Sequence, residues 1–249
     1  MAIIIKSRDE REKMREAGHI VAEILAQLRS AVRPAITTAD LDAIAVAELK
    51  RRGAKASFLG YRGYPASICA SANDEIVHGI PGQRVLKEGD IISIDFGAIY
   101  NGWHGDSAIT VPVGQVSPEV QRLLKVTEDA LYRGIAAARA GNHLQDISRA
   151  IQQYVEAAGF SIVRQYGGHG VGRSMHEDPQ LLNYVEPGFP NPLLRPGMVI
   201  AIEPMVNMGA RETRVLPDDW TVVTRDGSYS AHFEHTVAIT EGDADILTL

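Results

Sequence analysis

The chain carries one ten-residue pattern twice. Leu86 to Asp95 reads L-K-E-G-D-I-I-S-I-D, and Leu194 to Glu203 reads L-R-P-G-M-V-I-A-I-E, 108 residues later. Each copy is a leucine, a glycine turn and a β-branched strand that ends on a carboxylate. At an offset of 106, Asp40-Leu41 matches Asp146-Ile147 and Gly53 matches Gly159. Stacked solenoid repeats recur every 20–50 residues or so, and this period is far longer. Two copies of a helix–helix–strand unit are therefore expected, with halves at about 7–115 and 116–249 of a single α+β domain spanning 1–249. A pseudo-twofold axis between the halves would set the two acid-tipped strands face to face.

Local signals agree with that plan. Ser7 and Glu10 form an S-x-x-E start ahead of an apolar stripe, Met14, Ala17, Val21, Ile24, Leu25, Leu28 and Val32. A second helix follows Thr38, carries Leu41, Ile44, Ala45 and Leu49, and stops at Gly53. Ser117-Pro118 opens a third helix with proline at its first position. The fourth runs from about Leu144 to Ala158 and ends at Gly159.

The composition is that of an ordinary globular protein, 45% hydrophobic and 22% charged, with a formal charge of -6 that argues against nucleic acid as the main partner. Its one cysteine, Cys69, forms no internal disulfide. The apolar run at the start is far shorter than the ~7–15 residues of a secretory leader, and no stretch approaches the ~18 of a membrane span. The expectation is cytoplasmic, with no membrane.

Charges at the ends of apolar strands carry the chemistry. Asp95 closes the strand Asp90 to Phe96, after Ile91, Ile92 and Ile94, where a carboxylate needs a partner or a metal. Asn101-Gly102 then signals a two-residue hairpin loop that sets Tyr100 against Trp103 and Asp106 against Gly97. In that register Asp106 lies diagonal to Asp95 on one face, about 7–8 Å away. Two acids at that range can share ions about 3.5–4 Å apart. A turn-capping role for Asp106 competes with this. Glu203 follows Val199 to Ile202, and Glu234 lies in an alternating strand, Tyr229 to Thr240. For each, a solvated or arginine-paired acid is the alternative, and three such strands together argue against it. His169, within Y-G-G-H-G-V-G-R, suits a metal ligand but would by itself pass for a structural histidine. The run lacks the lysine and Ser/Thr of a phosphate loop.

Four carboxylates and one imidazole would balance two divalent ions. Such a pair lowers the pKa of a water and supplies a hydroxide nucleophile. Oxygen-rich ligation favours manganese, iron(II) or cobalt. A two-metal phosphoesterase is also allowed by this logic, but no basic phosphate clamp is evident.

The motifs N-D-E-I-V-H-G-I-P (Asn73 to Pro81), D-F-G-A with W-H-G-D, G-G-H-G-V-G, I-E-P and F-E-H-T resemble those of the type I methionine aminopeptidases, in order and spacing, from about Ser7 onward. The short interval from Glu203 to Glu234 and the lack of an N-terminal zinc-binding extension are similar to the bacterial form. The resemblance implies the pita-bread fold, in which helices cover a curved, mostly antiparallel sheet. It implies that Asp95, Asp106, His169, Glu203 and Glu234 bind two divalent ions, whether cobalt, manganese, iron(II) or zinc. Asp106 and Glu234 would bridge the ions, and Glu203 would shuttle the proton. It further implies that His78 contacts the scissile amide and His176 the oxyanion. The methionine pocket would comprise Tyr61, Tyr64, Cys69 and Trp220, with Phe58 and Met175 standing where a familiar bacterial pattern has cysteine and phenylalanine. The implied activity is removal of initiator methionine, when the second residue is small, from nascent chains at the ribosome by a monomer. A proline-directed peptidase of the same fold and a non-catalytic binding module of that fold are the rivals.

Overall fold

The structure is a computed structural model and describes residues 2–249. Four helices lie in two pairs: α1 (Arg8–Ala31) with α2 (Thr38–Arg52), and α3 (Pro118–Ala137) with α4 (Leu144–Ala157). The Ser7–Glu10 capping box forms at α1, and Ser117 caps α3 ahead of Pro118. α2 begins one residue earlier than Thr38 suggests, because Thr37 supplies the cap and exchanges hydrogen bonds with Asp40. The equivalent box at α4 uses His143 and Asp146, at the 106-residue offset.

The helices cover a nine-stranded sheet in which every pairing is antiparallel. Its centre is the hairpin Ile91–Tyr100 and Trp103–Pro112, joined by Asn101-Gly102 with both turn residues at positive φ (51° and 77°). That is the geometry a two-residue turn needs to match the strand twist. The hairpin register sets Tyr100 against Trp103 and Gly97 against Asp106 without a bulge. Asp95 sits mid-strand rather than at a strand end, because pairing continues to the turn.

Alternation divides the two faces of that hairpin. Ile92, Ile94, Phe96 and Ala98 point toward α1 and α2 and join Val21, Ile24 and Leu28 in one core. Ile200, Ile202 and Val237 point toward α3 and α4 and join Leu123, Ile147 and Ile151 in a second. Each fully buried aliphatic side chain there contributes about 1.5–3 kcal/mol. The opposite parity, Asp95 with Asp106, Ser93 with Thr110, and Glu234, lies on the uncovered face. The strand Glu234–Ala238 joins the halves, pairing with Trp103–Pro112 on one side and Val199–Ile202 on the other.

Tyr229 to Thr240 is not one strand. It breaks at Phe233: Ser230–His232 pairs with Met205–Asn207 in a separate three-stranded sheet, while Glu234–Ala238 stays in the main one. The chain turns a corner between sheets there, which side-chain alternation does not register. Among the described residues no helix is long and apolar enough to cross a membrane.

Candidate functional site

All thirteen side chains singled out from the sequence line one cavity of about 170 Å³ on the uncovered face. Asp95 and Asp106 come from the hairpin, diagonal to each other, and Glu234 enters from the neighbouring strand opposite Ala108. His169 lies on the short strand Gly168–Gly170, and Glu203 leaves the end of Val199–Ile202. Strands of both halves thus deliver side chains to one cavity.

Asp106, His169 and Glu234 offer ligand atoms within 4.8 Å of one another. His169 donates Nδ1–H to the Gly170 carbonyl at 2.9 Å, which turns Nε2 toward Asp106 at 3.7 Å and Glu203 at 3.6 Å. Burial holds that imidazole at a pKa of about 3, so it is neutral and its Nε2 is a lone-pair donor to a cation. Burial likewise raises the carboxyl of Asp106 to about 7. Burial, then the charge of Asp106, pushes Asp95 well above the carboxylate range. Glu234 is raised by burial and then by Asp106, and Glu203 by burial and then by Asp95.

Whether these residues fit a metal is decided by their unmet partners. One oxygen each on Asp95, Asp106 and Glu234 is buried without a hydrogen-bond donor, and no lysine or arginine pairs with the four acids among the described residues. Leaving such groups buried is costly unless a cation completes them. A divalent cation fits the donor set: hard carboxylate oxygens and one imidazole nitrogen.

Beside the acids lies an apolar chamber. Phe58, Tyr64, Cys69 and Met175 are buried together, with Tyr61 and Trp220 against them. Cys69 stands directly opposite Asp95 on the adjoining strand, so chamber and acid cluster share a wall. Phe58 fits because position 97 is glycine: a Cβ there would come within 3.1 Å of the ring and 2.8 Å of Ser57 Cβ. Tyr64 donates its hydroxyl to the carbonyls of Ile68 and Gly79, fixing the ring across the chamber.

His78 and His176 stand at the junction. His78 adopts φ 61°, a left-handed conformation uncommon for residues other than glycine, and its ring meets Trp220 edge-on at 6.3 Å. Burial lowers its pKa to about 4, and burial followed by the Arg62 charge also lowers that of His176. Both are neutral at pH 7 and act through hydrogen bonds. His176 lies 4.1 Å from the His169 ring and stacks on Tyr61 at 5.3 Å. Its loop is held by Glu177, which accepts from the Ser174 amide and pairs with buried Lys6 at 2.6 Å.

Three residues escaped the sequence reading. Arg62 lines the cavity beside Tyr61, but nothing in Y-R-G-Y marks it. Lys6 is invisible because its partner is 171 residues away. His232 lies with Nε2 3.5 Å from Glu203 Oε2, and its shared parity with Glu234 was the available signal.

The site defines a class before a protein. The sequence profile of metallopeptidase family M24 matches residues 12–241, and the chain belongs to that family. Within it the similarity is to methionine aminopeptidases over the whole length. Methionine aminopeptidase 1 of Bacillus subtilis is 57% identical over 248 residues, 99% of each chain. Solved methionine aminopeptidases from Rickettsia prowazekii and Thermotoga maritima superpose with TM-scores of 0.97 and 0.96. They are 42% and 46% identical, over 100% and 99% of both chains. The mixed α/β architecture is the pita-bread fold of those neighbours.

Proposed function

We propose that the chain is a cytoplasmic metalloaminopeptidase that removes N-terminal methionine from new polypeptides whose second residue is small. One observation carries the reading: five candidate ligands, three of them acids with a buried oxygen that no donor meets, open directly onto an apolar chamber in one cavity. Two divalent ions held by Asp95, Asp106, His169, Glu203 and Glu234 would supply Lewis acidity and a water ionised near neutral pH.

The protein's own groups do the rest. Methionine's unbranched side chain enters between Phe58, Tyr64, Cys69 and Met175, where no polar partner is demanded. The free α-amino group lies toward the floor, where the ions would be held. His78 and His176, both neutral, hydrogen-bond the scissile amide and its carbonyl oxygen as charge builds there. Glu203, with a raised pKa, accepts a proton and returns it to the departing amine. Phe58 and Met175 narrow the chamber without adding polarity. Crowding by the histidines favours a small second residue. We read the molecule as one catalytic domain acting as a monomer.

The test is a peptide panel with protein reconstituted in turn with cobalt, manganese, iron(II) and zinc. Met-Ala-Ser should be cleaved and Ala-Pro-Ser left intact. Glu203→Gln should lower kcat on Met-Ala-Ser at least about 100-fold. Preference for Ala-Pro would instead support the proline-directed reading. Absence of turnover with every ion would support the binding module.

A further inference from the structure

Thirteen of the fourteen residues lining the cavity are accounted for by metal, chamber and histidines, and the fourteenth is Arg62. We infer that Arg62 is a specificity residue that favours substrates with an acidic third or fourth residue; the inference rests on the aminopeptidase reading above.

Of the lining residues only Arg62 and His176 are exposed, so they mark the mouth through which a bound peptide leaves. A ladder of stacked groups runs from that mouth to the acid cluster. The Arg62 guanidinium sits over the Tyr61 ring at 5.4 Å, Tyr61 stacks on His176 at 5.3 Å, and His176 meets His169 at 4.1 Å. Laid end to end, these spacings cap the distance from His169 to Arg62 at about 15 Å, the span of about four extended residues. Cleavage falls after residue one, beside His169. The third and fourth residues therefore reach the rim.

Charge then decides what the rim welcomes. The acids of the lining, Asp95, Asp106, Glu203 and Glu234, are the ones that would be balanced by the ions they hold. Among the described residues Arg62 is the sole permanent cation of the cavity; its guanidinium lies over the Tyr61 face and no carboxylate pairs with it, so its fork of donors is free for one. Its position is built in. The turn Tyr61–Gly63 bends at Arg62 itself, with φ 50°, and that turn returns the chain to Tyr64 in the chamber wall. With the acids of the floor balanced by the ions they would hold, the uncompensated charge of the cavity is the cation at its mouth, which matches a peptide with an acid trailing. A lysine at the same place meets like charge.

The experiment compares kcat/KM of the metal-loaded enzyme on Met-Ala-Glu-Glu, Met-Ala-Ser-Ser and Met-Ala-Lys-Lys. The acidic peptide should exceed the basic one about fivefold, the size an exposed ion pair supports, with the difference mainly in KM and shrinking as salt is added. Arg62→Gln should bring the ratio toward one, and Arg62→Glu should invert it. A ratio that neither substitution shifts, while all three peptides are cleaved, overturns the role of Arg62 and leaves methionine removal standing. Failure of the native enzyme to cleave Met-Ala-Ser-Ser overturns both.

Discussion

The carboxyl of Asp106, buried and raised to about 7, ties the chemistry of the site to the stability of the protein. Its unfolded value is about 3.9, so in the metal-free chain the folded state binds the proton more tightly than the unfolded state does. A folded pKa above the unfolded one favours folding below about pH 4, and that advantage is lost as pH rises through about 7. Asp95, Glu203 and Glu234 shift the same way. The metal-free protein is therefore expected to lose melting temperature between pH 5 and pH 8, and saturating divalent ion should restore more at pH 8 than at pH 5. Differential scanning calorimetry at the two pH values, with and without metal, measures this. A metal-free melting temperature that rises over that interval would contradict the burial argument. The buried acids Asp95, Glu203 and Glu234 were legible in the sequence as candidates, because an acid in an apolar strand declares that something must neutralise it. Arg62 was not, since an arginine in a surface turn looks like any solvated cation until the fold brings it to the cavity mouth.

At the level of elements, Asn101-Gly102 did most to make the site readable: two residues with positive φ set the hairpin register, and the register alone put Asp106 diagonal to Asp95. The strand limits were less legible. Alternation through Tyr229 to Thr240 is continuous, yet pairing partners change at Phe233, and parity carries no information about partners. The N-terminal arm was also hidden. Lys6 and Glu177, 2% and 8% exposed in their side chains, form a buried pair that holds the loop bearing Met175 and His176. Removing one member of such a pair leaves a buried charge and costs about 3–5 kcal/mol. Lys6→Met should destabilise the fold by about that amount in denaturant unfolding, and Lys6→Met with Glu177→Gln should recover most of it. A single variant within about 1 kcal/mol of the native protein would mean the arm holds nothing.

Across the whole molecule, the internal repeat is what brings acids from both halves to one cavity. The isolated bridges Thr37–Val85 and His143–Leu193, and the positive-φ turns at Gly89 and Gly197, recur at offsets of 106 to 108 residues. Each half builds its own apolar core against its own helix pair. Two small cores back to back leave one shared concave face, and both halves deliver acids to it. The sequence announced this symmetry through its two matching strands. It could not announce the smaller sheets, whose strands of about three residues lack any periodicity to read. Everything functional depends on the claim that the five side chains surround a pair of ions. Crystals grown with manganese, with anomalous diffraction recorded near the manganese edge, test it most directly. Two peaks about 3.5–4 Å apart should appear, Asp106 and Glu234 touching both, Asp95 one, and His169 with Glu203 the other. No peak in the cavity, or peaks held by other residues, would contradict the account.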